Sequence, residues 1–258
     1  MSMKNSIATF VRDKLQLVLL IRFFNRQIRG FSRFTHKLQF FIEWRVSNPE
    51  YFEHQMDLNY QWHETRSAFP MERGVFSSFA LKNDMPPSGR TLDLCCGDGF
   101  YSYYFYSKRS KSVIGIDFDP KAIKFAQKNY GAASNIQFII GDIRTSIPDG
   151  PFENIIWDAA IEHFTEIEIK TLMSRIKSVL SQNGVLSGYT IVEPEHGGKH
   201  LHQHEYEFHN KEDLARFLSP HFRNLQVFST SYPDRTNLYF YASDGLLPFE
   251  QSNSIIVR

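Results

Sequence analysis

Thr91-Leu92-Asp93-Leu94 is a short apolar run carrying one acid, and it passes directly into Cys95-Cys96-Gly97-Asp98-Gly99 and then a helix-like segment, Tyr101 to Lys108. This order constrains the chain more than any other feature. A strand that ends in a Gly-x-Gly turn and restarts as a helix opens a doubly wound α/β sheet, because glycines admit a ligand where a Cβ would block it. The dinucleotide fingerprint Gly-x-Gly-x-x-Gly is absent, since Tyr101 and Ser102 stand beyond Gly99. Asp93 would repel a phosphate and suits a ligand bearing an amino group and a sulfonium.

Three further apolar runs end in acids. Ser112 to Ile116 leads to Asp117-Phe118-Asp119-Pro120, in which Asp119 is placed to cap a helix and Pro120 to begin it. Ile136 to Ile140 leads to Gly141-Asp142-Ile143, and Phe152 to Trp157 leads to Asp158-Ala159-Ala160-Ile161-Glu162-His163. A carboxylate at the tip of the second strand of such a sheet can accept both hydroxyls of a ribose.

The glycine turn resembles motif I of the class I S-adenosylmethionine (SAM)-dependent methyltransferases, Asp-x-Gly-x-Gly-x-Gly, with Cys95 in place of the first glycine. The resemblance extends over about residues 85–245. It implies a Rossmann-like, mostly parallel seven-stranded sheet with a C-terminal antiparallel hairpin and an N-terminal helical extension. SAM is the implied cofactor and S-adenosylhomocysteine its product. Asp93, Cys95, Gly97 and Gly99 would then line the cofactor, Asp117 and Phe118 its ribose and ring, Asp142 and Ile143 its adenine, and Asp158 its far end. The implied activity is methyl transfer to a hydroxyl of a sugar or other small, possibly lipid-linked metabolite. A SAM-binding sensor or scaffold subunit is the alternative.

Composition agrees with an α/β enzyme: 42% of the 258 residues are apolar, enough for a large core. The two cysteines are neighbours, which rules out a disulfide framework and cysteine-based zinc spacing and fits a reducing compartment. The net charge of +1 hides an asymmetry. Residues 1–46 carry nine basic side chains against Asp13 and Glu43, and the remainder is acidic. This arm reads as a basic amphipathic helix, too polar to span a bilayer, that packs on the catalytic domain or another subunit or lies on an anionic membrane. The expected location is therefore cytoplasmic, with peripheral attachment at the inner membrane face as the variant. Residues 47–88 read as a helical cap in which Tyr60 and Trp62 could reach the ligands, 89–245 as the SAM-binding domain, and 246–258 as a loose tail.

On the acceptor side, residues 162–181 have helical periodicity ending at Asn183-Gly184, and Val185 to Val192 reads as the fifth strand. A helix over Lys211–Leu218 and strands near Phe222–Thr230 and Asn237–Ala242 complete the domain. His163 is the leading candidate base, since imidazole needs little tuning to work near neutral pH. Asp158 and His202 are further catalytic candidates. His196, His200, His202, His204 and His209 crowd one Gly-containing segment. On a strand, His200, His202 and His204 would share a face and could hold a metal; as a loop they would line an acceptor pocket. The loop reading is preferred, with no metal expected. The Asn/Asp-Pro-Pro-aromatic motif of enzymes that methylate base amino groups is absent after the fourth strand, so a nucleic-acid acceptor is not expected.

Overall fold

The structure, a computed structural model, describes residues 17–42, 68–81, 88–194, 197–233 and 235–248. Tyr60, Trp62 and His196 lie outside these residues, as do residues 1–16 and 43–46 of the arm, most of the 47–88 cap and the end of the tail.

Seven strands form one sheet: β1 (Arg90–Leu94), β2 (Ser112–Asp117), β3 (Ile136–Ile140), β4 (Phe152–Asp158), β5 (Leu180–Ile191), β6 (Asn224–Tyr232) and β7 (Arg235–Ser243). Their order is β3-β2-β1-β4-β5-β7-β6. β1 to β5 pair in parallel, and β7 inserts antiparallel between β5 and β6. The inner strands β1 and β4 are buried along nearly their whole length, as in a sheet with both faces covered. Leu92, Leu94, Ile155 and Trp157 have no accessible surface. The winding reverses between β1 and β4, so the crevice at their C-terminal ends is where a doubly wound sheet binds ligands.

Among the described residues there are five α-helices: α1 (Leu17–Ile42), α2 (Phe69–Phe79), α3 (Pro120–Tyr130), α4 (Glu166–Val179) and α5 (Lys211–Leu218). Asp119 caps α3 by accepting from the Lys121 N–H, with Pro120 at the first position, as the sequence predicts. Thr165 and Glu168 form a reciprocal capping box on α4. α2 is fixed from both sides. Its Glu72 accepts hydrogen bonds from Thr230 (2.9 Å) and Tyr232 on the edge strand β6 and from Tyr239 (3.1 Å) on β7.

Three expectations need correction. The segment after Gly99 is helical but is wound as a π-turn over Ser102–Tyr106, where Ser107 N–H donates to the Ser102 carbonyl five residues back (2.9 Å). Helix α4 stops at Val179, not at Asn183-Gly184. Leu180 pairs with Phe152, and β5 runs through both turn-like residues before pairing resumes at Asn154 and Val185 after a register shift. Gly184 serves packing there, since a Cβ would come within 2.9 Å of Leu180 and of the Phe152 carbonyl. The tail is not loose at its start, because Leu247 is buried against Val185 and Tyr241.

Candidate functional site

A small cleft opens at the switch point, lined by Arg73, Asp93, Cys95, Cys96, Tyr101, Tyr106, Asp158 and Ala159. The turn after β1 and the turn after β4 form its floor. Cys95 (φ 57°) and Ala159 (φ 52°) both hold the left-handed backbone conformation that side chains disfavour. Gly97 (φ 55°) and Gly99 (φ 77°) adopt it too, without the Cβ cost. Gly99 has a second reason to be glycine, since a Cβ would lie 2.6 Å from the Phe138 ring.

Asp117, at the tip of β2, is turned back toward the glycine turn. One carboxylate oxygen accepts from the Gly97 N–H and the other from the Asp119 N–H, each at 2.9 Å. Burial lifts its pKa, and these bonds offset part of the rise. Phe118 follows with 66% of its surface exposed, and Ile140 at the adjoining tip of β3 is exposed as well. Both offer an open apolar face to a flat ring. Asp142 also lies at the β3 end, but Arg144 engages both its oxygens (3.0 Å each) and holds its carboxyl below the usual range. Ile143 points into the main core. Of the two residues expected at an adenine, Asp142 is thus spoken for by an arginine and Ile143 is inside the protein.

Asp93 is buried and accepts from the Ser102 hydroxyl. Burial pushes its carboxyl up to about 7, with the nearby Asp158 adding to the rise and Ser102 and Arg73 opposing it. Burial and the surrounding carboxylates push both cysteine thiols well up, so neither is a nucleophile near neutral pH.

The residue that sequence reasoning missed is Arg73. Its Nε donates to Asp158 Oδ2 at 2.9 Å, and its guanidinium lies 4.2 Å from the Tyr101 ring centre. Asp158 and Arg73 are both buried, with side chains 3% and 6% exposed. The second oxygen of Asp158, Oδ1, is buried without any hydrogen-bond partner. A buried anionic oxygen left open beside a guanidinium costs several kcal/mol unless a ligand completes it. One signal in the sequence pointed to this: Glu72 and Arg73 are adjacent opposite charges in an otherwise uncharged helix.

Beyond Ala159, a 3-10 turn over Ile161–His163 carries Glu162 inward, where Thr190 donates to its Oε2 at 3.0 Å. The histidine-rich segment is a closed loop. Its base is shut by a bridge between Val192 and Phe208, and its far side is tied down by the Glu205 and Tyr206 N–H groups donating to the Glu162 carbonyl (2.8 and 3.1 Å). His204 is thereby buried beside His163, their rings 4.9 Å apart. His202, expected among the catalytic residues, lies exposed on the loop's outer surface, and His209 pairs with Glu193 at 2.6 Å.

Residues 91–184 match the methyltransferase domain family. The chain carries a class I SAM-dependent methyltransferase domain. An uncharacterized methyltransferase of Synechocystis is 27% identical over 113 residues, 43% of this chain and 52% of that protein. The chain thus spans about half the length of this curated relative. Among solved structures, the YcgJ protein of Bacillus subtilis superposes with a TM-score of 0.52 at 15% identity, over 62% of this chain and 93% of that one. A DhpI complex with S-adenosylhomocysteine gives 0.52 at 16% identity, over 74% and 89%. At such identities these two similarities establish the fold.

The cleft of this methyltransferase domain fits the amino-acid end of SAM. Arg73 supplies a cation for a carboxylate, and Asp158 Oδ1 an open acceptor for an ammonium. The orphaned oxygen is the observation that decides the fit.

Proposed function

We propose that the protein methylates a hydroxyl of a small, sugar-like or otherwise hydroxylated metabolite, using SAM as donor. Bound SAM supplies the electrophilic methyl group, so the protein's tasks are to bind, orient and accept a proton. Arg73 and Asp158 hold the amino-acid end, Asp117 the ribose, and Phe118 one face of the ring. His163 is the base. Its Nδ1 lies 3.2 Å from the Gln203 carbonyl, which can only accept, so Nδ1 carries the proton and Nε2 keeps its lone pair. The unpartnered Asp158 Oδ1 carries the reading, because it asks for a cationic ligand atom at the switch point.

Calorimetry with S-adenosylhomocysteine tests it. We expect micromolar binding by the wild type and a loss of at least tenfold in Asp117→Ala and in Arg73→Lys, which keeps the charge but loses the planar fork. Unchanged affinity in both folded variants would remove the site assignment. Turnover with a panel of hydroxylated and amino acceptors then separates O-methylation from N-methylation, and binding without any turnover would favour the sensor reading.

We further propose that α1 attaches the enzyme to an anionic membrane surface. Arg22, Arg26, Arg29, Arg33 and Lys37 recur at helical spacing along one stripe, with no acid in the helix. Leu20, Phe24, Phe31, Phe34 and Leu38, on the opposite side, are all exposed. This separation of faces is that of a helix lying in the lipid headgroup region. No helix among the described residues is long and apolar enough to cross a membrane.

A further inference from the structure

Glu162, His163 and His204 converge from two separate segments, the turn after β4 and the loop after β5, and one ligand atom from each lies within 4.8 Å of the other two. Proximity alone does not make a metal site, but the surroundings of these three side chains are those of one. Each imidazole has its Nδ1 on an acceptor: Gln203 carbonyl for His163 and the Glu207 carboxylate for His204. Neither acceptor can donate, so both Nδ1 atoms carry the protons and both Nε2 atoms present lone pairs. Fixing the tautomer through the far nitrogen in this way is what orients histidine ligands in metal centres. Glu207 is itself positioned by His200, whose Nδ1 is 2.9 Å away and whose N–H donates at 2.7 Å. Thr190 holds one oxygen of Glu162 and leaves the other. The two N–H groups that bind the Glu162 carbonyl lock the loop carrying His204 against the turn carrying Glu162 and His163.

We infer that Glu162, His163 and His204 form a binding site for a single first-row divalent transition-metal ion. Two neutral imidazoles and one carboxylate favour Zn2+, Co2+ or Mn2+ over Mg2+ or Ca2+, which take oxygen ligands. Metal–ligand lengths of about 2.1 Å at a tetrahedral ion put ligand atoms about 3.4 Å apart, so a modest closure of the three side chains completes the cage. Three protein ligands leave a coordination position for an outside oxygen. On the reading given under Proposed function, that oxygen is the acceptor hydroxyl, and the ion lowers its pKa. His163 then acts as ligand in place of the base role given above: the hydroxyl's proton passes to solvent water, and the metal-held alkoxide would form its bond to the methyl carbon as the bond from that carbon to the sulfonium sulfur breaks. The ion site itself does not depend on that reading.

The test uses the full chain, freed of metal with EDTA and titrated with ZnCl2 by calorimetry and with CoCl2 by visible absorbance. One equivalent binding at micromolar or tighter affinity is expected, with a Co2+ band that Zn2+ abolishes. His204→Ala and Glu162→Gln should weaken binding at least a hundredfold. Glu207→Gln, which keeps the shape but loosens the His204 tautomer, should weaken it about tenfold or more. His202→Ala, on the exposed side of the same loop, should change nothing. S-adenosylhomocysteine affinity measured on every metal-free variant reports whether the domain is folded. No uptake by the wild type overturns the site. So does uptake that survives His204→Ala but is lost in His202→Ala, since the ion would then sit on the loop surface. Zn2+ binding by a wild type that fails to bind S-adenosylhomocysteine would overturn the methyltransferase reading and leave the metal site standing.

Discussion

Cys95 and Ala159 end the two strands that flank the switch point, and both are held left-handed without being glycine. Each conformation costs about 1–2 kcal/mol in an L-residue. Strain of this kind persists where the surrounding structure fixes a backbone, often at a ligand site. Replacing Cys95 by Gly relieves it, while the extra freedom of the unfolded chain returns about 0.5–1 kcal/mol. We therefore expect Cys95→Gly to be neutral or up to about 1 kcal/mol more stable in urea unfolding, with S-adenosylhomocysteine affinity unchanged. A clear loss of stability would show that packing of the thiol outweighs the turn. The residue identities at this turn were legible in the sequence, because Asp93, Gly97, Gly99 and Asp117 follow a spacing that one chemistry requires. Arg73 carried only the faint mark of a charge pair in an otherwise uncharged helix, because its partner Asp158 lies 85 residues away and no local pattern ties the two.

At the level of elements, strands and their order were readable from apolar runs ending in acids. Boundaries were not readable wherever long-range pairing overrode local propensity. Asn183-Gly184 has turn chemistry, yet β5 crosses it because Leu180 has Phe152 to pair with. The histidine segment is the loop that the sequence favoured over a shared strand face, and closure between Val192 and Phe208 adds what the sequence could not show, that His200 and His204 meet Glu207. Helix α1 permits an element-scale prediction. In sedimentation with vesicles, the full chain should bind phosphatidylglycerol-containing membranes and not pure phosphatidylcholine, and 0.5 M salt should release much of it. Deleting residues 1–46 should abolish this and leave S-adenosylhomocysteine binding intact. Equal sedimentation of both chains would assign α1 to packing instead.

For the whole molecule, the buried carboxyls make stability depend on pH. Asp93 in the folded protein keeps its proton up to about pH 7, whereas an unfolded aspartate loses it near pH 4. The native state thus binds more protons in that window, and stability falls as pH rises from about 4 to 7, then levels off. The gap corresponds to a loss on the order of 4 kcal/mol. Asp117 and Asp158 are shifted in the same direction. Asp93→Asn can still accept from Ser102, so its unfolding free energy should decline less between pH 5 and 8 than that of the wild type. Parallel curves for the two proteins would refute this role. The three hydroxyls that grip Glu72 carry one more consequence. Glu72 is the chain neighbour of Arg73, so the C-terminal hairpin and the mouth of the cleft share one short lever. Any displacement of α2 away from the cleft would also break the Glu72 hydrogen bonds to β6 and β7, which couples the two ends of this part of the fold.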